Sequence, residues 1–177
     1  MKKIIIFFTI LILLISFIFG SLIQIIFNKP NKVKSENKIH LPKITLTDLN
    51  NNKIKFNKIN QPTIILFWLP QSETCQQQLE ILTEINQKYQ NKLQVLAVGI
   101  GNLNQKKIIK LAEEKKVNYP IVIDYKTKLT EKLKISTIPT ILIYTPSSRP
   151  DLISGLQETK DLENIIKDKI LNQSLKN

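Results

Sequence analysis

Cys75 is the only thiol in the chain and stands three residues after Ser72, in the run Ser72-Glu73-Thr74-Cys75. A lone cysteine closes no disulfide within its own chain, so two chemistries are open to it. Exposed and ionised at a helix N-terminus, it would form mixed disulfides or react with peroxide. Enclosed in a core, it is a small apolar residue with an inert thiol. Ser72 offers an oxygen whose hydroxyl ionises far above neutrality, and no base is evident beside it in the sequence. His40 is the only histidine and has neither a second histidine nor a carboxylate pattern near it, which makes it a solvated side chain and excludes a Cys/His zinc cluster. The four glycines form no G-x-G-x-x-G and no phosphate-binding loop. No metal and no cofactor is therefore expected.

The elements that would position this thiol are legible in the apolar periods. Ile44 to Thr47 and Ile54 to Phe56 alternate around the Asn-rich stretch 48–52 and read as a β-hairpin. Thr63 to Trp68 is continuous, β-branched and aromatic, the pattern of a strand covered on both faces. Leu79, Leu82, Ile85 and Tyr89 then recur at helical spacing behind Ser72, a natural N-cap, with Glu73 in the first turn. The alternation continues with a strand over 95–100 and a helix over 105–116, with Ile108, Ile109 and Leu111 inward. Next come a strand over 121–123, a short helix over 129–133, and a strand over 140–144 paired with Leu152-Ile153. A closing helix over 159–171 presents Leu162, Ile165, Ile166 and Ile170 on one face. This order of elements implies an α/β sandwich with a mixed sheet.

The N-terminal segment is different. Lys2 and Lys3 precede Ile4 to Phe27, 24 residues without a charge. As a helix that run reaches ~36 Å against a hydrocarbon core of ~30 Å. It reads as an uncleaved anchor over residues 1–28 rather than a signal peptide cut after Gly20, because the small residues of a cleavage site are missing. Residues 29–43 carry Pro30 and Pro42 and no apolar period, as expected of a polar tether, which leaves 44–177 as the folded domain. The net charge of +12 is weak evidence for a nucleic-acid surface. Ile, Lys and Asn fill 72 of the 177 positions against 2 Ala, a bias of AT-rich codons, and no stacking platform of aromatics is visible.

Beyond the order of elements, several runs resemble the thioredoxin fold, specifically the membrane-anchored TlpA/ResA-type thiol-disulfide proteins. They are Leu66-Phe67-Trp68, Val95-Leu96-Ala97-Val98, Asn118-Tyr119-Pro120-Ile121-Val122-Ile123-Asp124 and Ser136-Thr137-Ile138-Pro139-Thr140. The resemblance implies a cis bond before Pro139, facing the motif helix and flanking backbone that pairs with an extended peptide. It also aligns the family's W-C-x-x-C motif so that Ser72 replaces the attacking cysteine and Cys75 matches the second, resolving one. Gln71, Thr74 and Gln78 depart from the family pattern at the same site, Gln78 standing where ResA-like members carry a glutamate. Ser72-Glu73-Thr74-Cys75 also fits the hydroxyl-x-x-Cys spacing of peroxiredoxins, but Trp68 stands where their proline belongs and Arg149 falls outside the motif.

The resemblance and the altered motif together imply an extracytoplasmic, membrane-anchored thioredoxin-like module whose dithiol exchange is lost. Trp68, Glu73, Thr74, Ile138 and Pro139, with Ser72, are its candidate binding residues. Its partner is expected to be a cysteine-containing or extended polypeptide, such as an apocytochrome or a membrane redox protein, and not a nucleic acid. The alternative is a one-cysteine redox enzyme acting through Cys75.

Overall fold

The computed structural model describes residues 41–146 and 148–171. The expected anchor over 1–28, most of the tether and His40 lie outside them. Among the described residues no helix is long and apolar enough to cross a membrane.

A small antiparallel ribbon opens the domain: β1 (Thr45–Thr47) pairs with β2 (Lys53–Lys55), and a 3-10 turn, Phe56–Lys58, comes next. The turn between the strands is held by Asp48, whose Oδ1 accepts from the backbone of Asn50 and Asn52 at 2.9 and 2.8 Å. Each strand of the ribbon buries only its middle residue, Leu46 and Ile54, against the core below.

The main sheet has five strands in the order β5-β4-β3-β6-β7. These are β3 (Thr63–Trp68), β4 (Gln94–Ile100), β5 (Ile121–Asp124), β6 (Thr140–Tyr144) and β7 (Asp151–Ser154). β3, β4 and β5 run parallel, and β6 and β7 are antiparallel additions. Four helices complete it: α1 (Glu73–Tyr89), α2 (Gln105–Glu114), α3 (Lys128–Lys132) and α4 (Thr159–Ile166). The mixed sheet flanked by helices is the arrangement the sequence implies.

Strand parity sorts the core into two. Ile64, Leu66 and Trp68 of β3 face α1, α2 and α4, meeting Leu79, Leu82, Ile108 and Leu162. Ile65 and Phe67 face the ribbon side, meeting Phe56 and Leu129. Placing α1 and α2 on one face is what right-handed β-α-β crossovers require of three parallel strands. Leu41, at the end of the stretch read as tether, is 3% exposed and belongs to the second core.

Two expectations need correction. Ile109 does not point inward but is 36% exposed at the rim of a cavity beside the ribbon turn. On α2 the inward line runs through Ile108, Leu111 and Ala112, and Ile109 lies about 100° away from Ile108 at 3.6 residues per turn. The closing helix is α-helical only to Ile166; Lys167–Leu171 is a π-helical turn, which still keeps Ile170 buried.

The edges of the sheet differ. β5 is flanked by the ribbon, through the Asp48–Val122 bridge and a Leu49 N–H bond to the Ile121 carbonyl at 3.0 Å. β7 is four residues long, preceded by Pro150 and ended by Gly155 at φ +87°. Lys169 Nζ lies 2.8 Å from Asp151 Oδ2 at its start.

Tyr119, just before β5, is buried and donates to the Leu79 carbonyl of α1 at 2.9 Å. Burial pushes its phenol well above the ordinary range. The folded state thus keeps the proton that the unfolded chain releases near pH ~10, and the stability tied to Tyr119 is whole below that pH and lost as pH rises. Tyr119→Phe is expected to lower stability by about 1 kcal/mol at pH 7 and to flatten the decline of the urea midpoint between pH 9 and 11, measured by circular dichroism.

Candidate functional site

The motif sits where β3 ends. Beyond Trp68 the chain turns through Leu69–Gln71, held by the Ser72 N–H bond to the Leu69 carbonyl (3.3 Å) and by Gln76 Nε2 donating to the Pro70 carbonyl (2.8 Å). Ser72 has extended backbone angles and caps α1: its Oγ accepts from the Cys75 N–H at 3.3 Å. The same hydroxyl shares a hydrogen bond with Thr74 Oγ1 at 2.9 Å. Glu73 lies in the first turn, where the helix dipole favours an acid. Such a cap is worth about 1 kcal/mol.

Exposure along the motif is graded. Glu73 and Thr74 are exposed, Ser72 is half-buried, and Cys75 is 0% exposed within the core that contains Leu79 and Trp68. The thiol points into the domain, and the oxygen occupies the surface position. A buried cysteine of this kind packs as a small hydrophobe.

Register brings the proline to the same end. Phe67 pairs with Thr140, so the antiparallel ladder, continued by one residue, sets Trp68 across from Pro139. The Ile138–Pro139 bond is cis. The turn is clasped from three directions. Gly155 N–H donates to the Pro139 carbonyl (2.8 Å), Thr140 Oγ1 to the Thr137 carbonyl (2.7 Å), and Thr137 Oγ1 to Ser154 Oγ (2.9 Å). Ile138 is half-buried, and its own backbone makes no such bond among the described residues. Ser72, Glu73, Thr74, Ile138 and Pro139 thus gather at one end of the sheet, with Trp68 beneath them. On the side of β4 and α2 a cavity of about 600 Å³ adjoins the motif, lined by Pro70, Gln71, Gln76, Leu103 and Lys107 among others.

Trp68 contributes volume rather than a polar contact. It is 0% exposed, and its indole Nε1 has no hydrogen-bond partner among the described residues. Close packing extends around it: a Cβ placed on Gly99 would come within 2.8 Å of Leu103 Cδ1 and 3.8 Å of Trp68 Nε1.

Two residues have structural roles that sequence reasoning does not assign. Gln78 is 0% exposed on the apolar face of α1, and its amide forms a two-point brace to the loop before α4. It accepts from the Gln157 N–H at 2.7 Å and donates to the Gln157 carbonyl at 3.3 Å. A signal for its burial is present, since Gln78 falls between Cys75, Leu79 and Leu82 at helical spacing. Asp124 is 1% exposed, and its Oδ2 accepts from Leu129 N, Thr130 N and Thr130 Oγ1, each at 2.9 Å. It caps α3, whose N-cap residue Thr127 makes no side-chain cap bond. Among the described residues no cluster of three or more His, Cys, Asp or Glu could hold a metal ion. Arg149 lies beyond β6, whose far end pairs with Thr63, so it belongs to the end of the sheet opposite Cys75.

Comparison with known proteins agrees with this geometry. The AhpC/TSA family model matches residues 39–149. The thiol-disulfide oxidoreductase YkuV of Bacillus subtilis (strain 168) is 28% identical over 88 residues, which is 48% of this chain and 60% of YkuV. The thiol-disulfide oxidoreductase ResA of Geobacillus kaustophilus (strain HTA426) is 23% identical over 125 residues, covering 69% of this chain and 71% of ResA. Among solved structures, StoA from Bacillus subtilis superposes with a TM-score of 0.60 at 20% identity, over 70% of this chain and 98% of StoA. A secreted thiol-disulfide isomerase from Corynebacterium glutamicum gives 0.63 at 19% identity, over 71% and 81% of the two chains. These likenesses establish a thioredoxin-like fold related to the ResA and StoA type.

The Gln78 brace needs both an acceptor and a donor, and a carboxylate supplies only the first. Gln78→Glu is expected to cost about 1–3 kcal/mol at pH 7. Burial raises its carboxyl's pKa in the fold above that in the unfolded chain, so the loss should shrink as pH falls and disappear below pH ~4.3, where both states are protonated and the acid can donate again. Urea unfolding at pH 4 and pH 7 measures both.

Proposed function

The chain belongs to the AhpC/TSA family, and on that footing we propose that it is a ResA-type thioredoxin-like module that binds polypeptide without carrying out dithiol exchange. The observation that carries this reading is the placing of the two motif atoms: an oxygen at the surface and the only thiol sealed beneath it. In thiol-disulfide exchange a thiolate attacks a disulfide sulfur and a mixed disulfide forms, which a second thiol then resolves. Ser72 Oγ cannot take the first role, because its hydroxyl stays protonated near neutrality and an oxygen cannot form the mixed disulfide; it serves instead as a cap, accepting from the Cys75 N–H and bonded to Thr74. Cys75, at 0% exposure, is out of reach of an external disulfide, which also weighs against a one-cysteine enzyme working through it.

What remains at this end is a surface suited to an extended chain. Among the described residues the Ile138 backbone makes no hydrogen bond, at the same end of the sheet as exposed Glu73 and Thr74. Backbone pairing along such an edge gives affinity, and neighbouring side chains give selectivity. A polypeptide bearing cysteines, an apocytochrome included, is the partner class suggested by the thiol-disulfide relatives. We also read residues 4–27 as an anchor that holds the domain on the extracytoplasmic side, supported by their length and lack of charge.

Purified full-length protein in detergent is expected to leave insulin disulfides unreduced in the presence of dithiothreitol beyond the rate of dithiothreitol alone. Ser72→Cys, which completes a Cys-x-x-Cys motif, should raise the rate at least tenfold. Reduction by the unaltered chain at the rate of a two-cysteine thioredoxin would refute the proposal.

A further inference from the structure

The ribbon that opens the domain carries a cationic face that the motif does not use. β1 and β2 pair with Thr45 opposite Lys55 and Thr47 opposite Lys53, and the Phe56 N–H bond to the Ile44 carbonyl at 3.0 Å extends that register by one step. Alternation then separates two faces. Ile44, Leu46, Ile54 and Phe56 pack on the core, whereas Thr45, Thr47, Lys53 and Lys55 are exposed on the other side, and Lys43, in the turn just before β1, is exposed as well. Same-face positions along a strand lie ~7 Å apart, so Lys53 and Lys55 stand side by side. Lys58, from the 3-10 turn, joins Lys53 and Lys55 around one shallow cavity of about 370 Å³.

No acidic residue lies between Asp48 and Glu73, and both oxygens of Asp48 are taken up by the turn. Four lysines elsewhere, Lys88, Lys110, Lys115 and Lys169, each meet a carboxylate, with Glu163, Glu114, Glu80 and Asp151. Among the described residues the ribbon lysines meet none.

We propose that this ribbon face docks the domain onto the anionic phospholipid surface of the membrane in which the chain is anchored. The inference rests on the reading of residues 4–27 as an anchor. Thirteen residues, 28–40, then lie between the anchor and Leu41, which packs in the domain core, and even a fully extended chain of that length reaches no more than ~45 Å. The ribbon is thereby kept near headgroups, and its outward face is polar, flat and of a single sign. Each lysine near an anionic surface strengthens the contact roughly fivefold, so three give about a hundredfold at low salt. The tether lysines do not fix which face meets the bilayer; the ribbon does.

Trp68 is the only tryptophan and is a built-in reporter. Full-length protein reconstituted into vesicles containing a dansyl-headgroup lipid should show stronger energy transfer from Trp68 with 30% phosphatidylglycerol than with phosphatidylcholine alone. The excess should vanish in 0.5 M NaCl and in the K43Q/K53Q/K55Q variant, and persist in K106Q/K107Q/K110Q, which removes the same charge from α2. Equal transfer on the two lipid compositions overturns the docking. So does equal loss in both variants, which would make net charge the cause. A ribbon-dependent affinity for polyglutamate without any response to phosphatidylglycerol would assign the face to an acidic polypeptide instead. Flotation in high salt separates the two readings: protein that does not float with phosphatidylcholine vesicles refutes the anchor, whereas protein that floats but ignores phosphatidylglycerol refutes only the docking.

Discussion

All six residues of β3 are buried, and the strand is hydrogen-bonded on both sides, parallel to β4 and antiparallel to β6. That double constraint leaves the strand no freedom to slip, because a shift of one residue would exchange Ile64, Leu66 and Trp68 with Ile65 and Phe67 between two separate cores. The site inherits its geometry from this. The C-terminal end of β3 releases the chain into the Ser72 cap, and pairing with β6 brings the Pro139 turn to the same end. No residue of the motif has to hold the other half of the site in place. The motif can therefore change its chemistry while the shape around it stays fixed.

The same separation explains how oxygen and sulfur come to have different environments three residues apart. A helix N-cap faces solvent, while the position three residues on points down the first turn into the core. Ser72 satisfies a backbone donor that would otherwise be unpaired, a task for which serine is among the best residues, and Cys75 fills apolar volume. Both residues are suited to their surroundings as structural parts. Gln78 extends the pattern, since its amide joins α1 to the loop ahead of α4 without adding a titrating group.

The sequence makes much of this visible for physical reasons. β3 and α1 are readable because full burial produces an unbroken apolar run and one-sided burial produces a 3.6-residue stripe. The Ser72 cap is readable because the signal lies within four residues. The roles of Gln78 and Asp124 are not, because their partners are set by tertiary folding: Gln157 is 79 positions from Gln78, and only the turn after β5 brings Thr130 back onto Asp124. Ile109 shows the limit of periodicity. An apolar residue at the margin of a helix stripe faces inward only if something packs over it, and here a cavity lies alongside. The end of α4 escapes sequence reading because an amphipathic period continues through a π-helical turn without a break in composition.

The unequal edges of the sheet bear on how the protein behaves when crowded. With β5 flanked by the ribbon, β7 is the flank of the main sheet at which another chain could add by strand pairing, and exposed Leu152 makes it adhesive. It is poorly built for that. Pro150 offers no donor before it, the Asp151–Lys169 pair places charge at its first residue, and Gly155 turns the backbone away after four. A strand this short, bounded at both ends, gives another copy of the domain little template to extend.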